Sequence, residues 1–301
     1  MATCCKREFM ALKRCKFLAE TTVRRILTLI ITLYTAAAVL PGCATSPTGR
    51  SQLLLVSPEA AVVESRKAYI STVQQLGAEN KLLDDPALAD RVQVITGRLV
   101  AIAVQEYPNT RDWEWSVALI DGPDTVNAWC MAGGRMAVYS GLIDQLDLTD
   151  AEFAQIMGHE ISHALANHTA ERMSVAMATT AGVIAAGVAA DNNATALAGA
   201  ALAAKLAIEL PNSRTSESEA DQMGIEIAAK AGYDPAAAVT LWQKMAKAGG
   251  SAPVEFLSTH PSPGNRQERL QAMVPEMRAI QRRDFIAPYP VTIVTDEADL
   301  D

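Results

Sequence analysis

The sequence predicts an α+β fold, mostly helical, with a small antiparallel sheet beside one central buried helix. Three observations predict it. Helix-start signals recur ahead of apolar residues at helical spacing, one central stretch switches to β-type residues around a Gly-Gly pair, and half of the 301 residues are apolar. That apolar content is ample for a sizeable core.

The elements follow in order. Ser57-Pro58 places a cap and a first-turn proline at the start of a helix. Asp85-Pro86 does the same, and Val92, Ile95, Leu99 and Ile102 then fall on one face of a helix ending near Glu106. The runs DWEWSVALI (112–120) and AWCMAGGRMAVY (128–139) read as antiparallel strands, with a hairpin turn at Gly133-Gly134. Thr149 and Glu152 form a capping box, so LTDAEFAQIMGHEISHALANHTAERM reads as one helix of about twenty residues or more. The Ala/Gly-rich stretch 175–207, interrupted by Asp191-Asn192-Asn193, reads as a pair of packed helices. Helices are also expected over Asp221–Ala231, over Pro235–Ala248 and after the loop STHPSPGNR.

The first 42 residues differ in kind from the rest. Seven basic residues against two acidic ones precede ILTLIITLYTAAAVL (26–40), too short to span a bilayer comfortably but suited to a signal sequence. LPGC (40–43) then resembles the lipobox of bacterial lipoproteins, which implies cleavage before Cys43, acylation of Cys43 and, with Ala44 next, an outer-membrane destination facing the periplasm. The alternatives are a plain secretory signal, an uncleaved anchor, or an organelle presequence; the last fits an apolar run poorly, because such presequences are amphipathic. Loss of residues 1–42 leaves 19 Lys and Arg against 32 Asp and Glu, a net charge of −13. Nucleic acid is not the partner of so acidic a chain, and membrane attachment would come from the lipid. Of five cysteines only Cys130 would then remain free, so no internal disulfide is expected. The domain reading is signal peptide 1–42, tether 43–57, catalytic domain 58–282 and acidic, disordered tail 283–301.

GHEISHALANH (158–168) holds three of the four histidines. Residues four apart share a helix face, so His159 and His163 can aim ring nitrogens at one metal ion, while Glu160, rotated by about 100°, lies beside it. Zn²⁺ with three protein ligands keeps one position open and acidifies water there, and Glu160 can take the proton as a carbonyl is attacked. A satisfied pair of core histidines is the plain alternative. No other charge interrupts Ile156–Leu165, as a buried helix requires. His168 lies about 140° round a continuous helix from His163, facing away as a surface residue or an indirect support of the site. Glu217 and Asp221 again stand four apart, and read either as third ligand and histidine-orienting carboxylate or as an acidic helix start. His260 could stabilise an oxyanion or cap the open zinc position at rest.

In order and spacing, HEISHALANHTAERMS, SRTSESEAD, VNAWCMAGGRMAVYSGLI and LSTHPSPGNRQERL resemble the motifs of membrane-associated gluzincins of the HtpX and CAAX prenyl protease types, nearest their bacterial periplasmic lipoprotein branch, over most of residues 53–282. The resemblance implies a zincin-like metallopeptidase with one Zn²⁺ per chain on His159, His163 and Glu217, Glu160 as catalytic glutamate and Asp221 as the supporting aspartate. It also matches Asn127–Gly134 to a strand that accepts substrate by main-chain pairing, with Ala132 where the family has proline. Asn127, Ala128 and Arg266 are the substrate-binding candidates. The expected activity is endoproteolysis of unfolded or misassembled envelope proteins; a zinc-stabilised chaperone with a latent protease site is the competing reading.

Overall fold

In a computed structural model of the chain, residues 43–189, 194, 198–199, 213–248, 255–261 and 264–300 are described. The chain divides into two units, residues 1–44 and 45–301. The expected signal peptide and the second half of the Ala/Gly-rich pair lie outside the described residues, apart from helical residues 194, 198 and 199. No helix of the described residues is long and apolar enough to cross a membrane.

The elements run β1 (Cys43–Thr45), β2 (Ser51–Leu53), α1 (Pro58–Ala78), α2 (Pro86–Glu106), β3 (Ser116–Ile120), β4 (Ala128–Met131), β5 (Arg135–Tyr139), α3 (Ser140–Leu146), α4 (Asp150–Leu165), α5 (His168–Ala189), α6 (Arg214–Lys230), α7 (Ala237–Ala248), α8 (Glu255–Thr259), α9 (Arg266–Ile280) and β6 (Thr292–Val294). The fold is mostly helical α+β, as the sequence predicts. Its local signals operate as read. Ser57 and Asp85 accept from the first-turn amides of α1 and α2, and Thr149 with Glu152 closes the capping box of α4.

The main sheet has strand order β4-β5-β3-β6. Only the β4–β5 hairpin is antiparallel, whereas β3 runs parallel to both β5 and β6, so the sheet is mixed rather than antiparallel. The cause is the hairpin itself: it folds back so that β5, not β4, lands beside β3. Gly133 and Gly134 both take positive φ, which lets the turn close with Ala132 in the proline position. Residues of β3 and β5 alternate between two apolar layers. Val117, Leu119, Met136 and Val138 join the large core under α2, α4, α6 and α7, while Ala118, Ile120 and Ala137 meet Tyr69 and Val73 of α1 on the other face.

Three expectations need correction. The predicted single helix around GHEISHALANH is two, because Asn167 adopts φ 56°, a left-handed conformation that stops α4 and starts α5 in a new direction. The expected tether does not hang free from Thr45 onward: Ser46 and Gln52 are buried, and Gln52 Nε2 donates to Ala166 O at 2.7 Å. The expected disordered tail contributes β6, which pairs with β3 and buries Val291 and Val294. The short β-branched run Val291–Val294 was the available signal.

Candidate metal centre

Helices α4 and α6 cross where neither carries a side chain. A Cβ on Gly158 would stand 2.8 Å from Gly224 O, and one on Gly224 would stand 2.8 Å from His159 N. That approach brings the ring of His159 to the carboxylates of α6. Glu217, Asp221 and Gly224 follow one another at i, i+4 and i+7, so they share the face that meets α4.

His159, His163, Glu217 and His260, all buried, place one donor atom each within 4.8 Å of one another. His159 Nε2 lies 3.0 Å from His163 Nε2 and 3.3 Å from Glu217 Oε2, and Glu217 Oε1 lies 3.4 Å from His163 Nε2. His260, at the end of α8 and stacked on Phe256, brings Nδ1 to 3.1 Å from Glu217 Oε1 and 3.4 Å from His159 Nε2. Imidazole nitrogens and a carboxylate converging in this way are a donor set that suits zinc. Two further observations fit that ion. Glu160 is buried beside the cluster, its Oε1 without a hydrogen bond and 3.4 Å from His260 Nε2. Three histidines and a glutamate gathered in an apolar interior would otherwise be costly to bury.

The electrostatics follow from burial and these neighbours. Burial opposes charge on His159, but Asp221, whose Oδ1 is 3.1 Å from Nδ1, and Glu217 outweigh it and raise the imidazole to about 9. Burial pushes the His163 imidazole well down. Burial also raises the Glu160 carboxyl, so it holds a proton more readily than a surface glutamate. For Glu217, burial opposes ionisation, yet the imidazoles of His159, His163 and His260 gathered round it hold it far below the usual carboxylate range.

The sequence-derived candidates are thus largely brought together, with two displacements. Arg266 turns its guanidinium inward, to the carboxylates of α6. It is 2% exposed, donates from Nε to Asp221 Oδ2 at 2.6 Å and from Nη2 to Glu217 Oε2 at 2.7 Å, and lies 3.8 Å over the Trp242 ring. Two buried carboxylates need a countercharge there, and the planar fork of an arginine serves both. His168 is not on the surface either: because α4 stops at Asn167, it folds back, fully buried, with Nδ1 2.8 Å from His163 Nδ1. Asn127 is buried and donates from Nδ2 to Glu255 Oε1 at 3.2 Å, and Ala128 opens β4, an edge strand among the described residues. The Gly158–Gly224 crossing and Glu219, the partner of His168, were not singled out from the sequence, although Gly224 stands at the right spacing on the face of Glu217 and Asp221.

Comparison with known proteins agrees with this centre. The chain is 32% identical over 251 residues to the mitochondrial metalloendopeptidase OMA1 of Bos taurus, covering 78% of this chain and 46% of that protein. It is 30% identical over 246 residues to OMA1 of Homo sapiens, with the same coverage of each chain. It is 31% identical over 210 residues to the beta-barrel assembly-enhancing protease of Yersinia pestis, covering 64% of this chain and 40% of that one. The chain therefore spans less than half the length of each of these relatives. The profile of Peptidase family M48 matches residues 86–274, which include His159, Glu160, His163, Glu217, Asp221 and His260. More than half of the chain is matched, and it belongs to peptidase family M48.

Proposed function

We propose that the chain is a zinc-dependent endopeptidase acting on unfolded or misassembled proteins of a bacterial envelope. The observation that carries this reading is the convergence of His159, His163 and Glu217 with a buried, incompletely partnered Glu160 beside them. His159, His163 and Glu217 would hold one zinc ion, which supplies Lewis-acid polarisation of a carbonyl and an acidified water. Glu160 accepts the proton of the attacking water on its carboxylate and passes it to the departing amine; its raised proton affinity suits both halves of that task. Asp221 orients the ring of His159, and Arg266 keeps Asp221 and Glu217 ionised and fixed. The outer edge of β4, beginning at Ala128, offers main-chain groups to an extended peptide, with Asn127 at its entrance.

His260 supports a resting, latent form of the same site. Its Nδ1 lies among the donors, where it would fill the position that catalysis needs open. The envelope location rests on the lipobox-like LPGC, with Cys43 as the acylated residue, and on likeness to a relative named as an assembly-enhancing protease of β-barrels. The HtpX-type lipoprotein branch is the subgroup this combination favours. The test is casein cleavage and zinc content of the purified chain beside Glu160→Gln. Loss of cleavage by about 10²-fold or more with zinc retained near one per chain is expected. Undiminished proteolysis in Glu160→Gln would overturn the proposal.

A further inference from the structure

His159 and His163 are each tied to α6, but through different carboxylates. His159 is backed directly by Asp221, which Arg266 holds in place. His163 turns Nδ1 away from the cluster toward His168 Nδ1 at 2.8 Å, and His168 Nε2 stands 3.1 Å from Glu219 Oε2. Glu219 then accepts from Thr48 Oγ1 at 2.6 Å and from Arg50 Nε at 2.9 Å. The remaining nitrogens of Arg50 grip Glu171 at 2.7 and 2.6 Å, and Gln52 fastens the same segment to Ala166 O. His168 and Glu219 are buried, and Arg50 is largely so.

Hydrogen-bond chemistry gives this line a direction. A carboxylate only accepts, so the proton between His168 and Glu219 belongs to His168 Nε2. The neutral ring of His168 then has Nδ1 free to accept, and His163 must carry its proton on Nδ1. That tautomer leaves the Nε2 lone pair of His163 facing the cluster, which is the form a metal requires. We propose that Thr48, Arg50, Glu219 and His168 are positioning residues for His163, so that the segment entering the domain after Thr45 sets the tautomer and orientation of the second histidine ligand. The inference rests on the metal-binding reading above and extends it to residues that the H-E-x-x-H pattern does not reach.

The test is made on the full chain. Zinc affinity is measured by chelator competition, and the visible absorption of the Co²⁺-loaded protein is recorded, for wild type, His168→Gln, Glu219→Gln, Arg50→Gln, Arg50→Lys and Thr48→Ser. Glu219→Gln and His168→Gln are expected to bind zinc about 10- to 100-fold more weakly, with a shifted cobalt spectrum. Arg50→Gln should weaken binding less; Arg50→Lys, which keeps the charge but loses the fork to Glu219 and Glu171, should fall between it and wild type, and Thr48→Ser, which keeps the hydroxyl, should stay near wild type. A role in packing alone would lower the thermal midpoint without moving the cobalt bands. Should Glu219→Gln not fold, Arg50→Gln decides, since Arg50 keeps some exposure and is the less buried of the two. Tight wild-type binding with unchanged affinity and spectrum in the folded variants overturns the relay alone. A wild-type chain that binds no zinc overturns the metal reading with it.

Discussion

At the scale of the residue, His260 is where sequence leaves two opposite roles and geometry favours one. An oxyanion donor belongs on the substrate side of the nucleophile, whereas Nδ1 of His260 points between Glu217 and His159. Its Nε2 meanwhile faces Glu160, so a single ring engages both the donor cluster and the carboxylate proposed to move the proton. Stacking on Phe256 holds it there. Four protein donors are the mark of a closed site and three of an open one. His260→Ala is therefore expected to increase casein cleavage while weakening zinc binding, measured as kcat/KM and by chelator competition. A fall in kcat of roughly 10²-fold or more would instead assign His260 to the oxyanion.

At the scale of the element, the site depends on how closely α4 and α6 approach. Gly224→Ala puts a methyl 2.8 Å from the His159 amide, against backbone that cannot swing aside. The helices must separate by a few tenths of an ångström or more, and Glu217 and Asp221 move away from His159 as they do. The expected result is a loss of about 1–3 kcal/mol in stability together with weaker zinc binding, read by thermal unfolding and metal titration. Normal zinc affinity in Gly224→Ala would show that the crossing is mere packing. The same pair of helices shows what was legible in the sequence. The capping box, the i, i+4 histidines and the i, i+4 carboxylates are local patterns, and each placed its residue correctly in space. The stop at Asn167 had a local signal, since asparagine takes the left-handed conformation more readily than other residues with a side chain, but the helix was read through it. A continuous helix would turn His168 away from the metal; of the two roles read for it, surface residue or indirect support of the site, its contact with His163 fits the second. The countercharge role of Arg266 was not read from the sequence, because a substrate-binding arginine and a buried countercharge look alike until their partners are known.

At the scale of the whole molecule, strand pairing escapes local reading because it joins residues far apart in sequence. β3 finds β6 more than 170 positions downstream, and no turn signal announces a parallel partner. The consequence is that Val291 and Val294, close to the end of the sequence, belong to the core. Ser116, Val117 and Ala118 pair in register with Thr292, Ile293 and Val294; Val294 lies at 1% exposure against the layer that contains Tyr69 and Ala118. Tyr289 N also donates to Gly97 O on α2 at 2.9 Å, tying the same segment to the opposite layer. Ending the chain at residue 282 would leave β3 as an open edge of apolar residues and uncover α2 at Gly97. An exposed hydrophobic edge strand is a template for intermolecular pairing. The shortened chain is therefore expected to unfold at a lower temperature and to aggregate, measured by thermal scanning with light scattering, and to lose zinc binding as the sheet beneath α4 loosens. A dispensable tail would leave all three unchanged, and that outcome would sink the assignment of residues 283–300 to the folded domain.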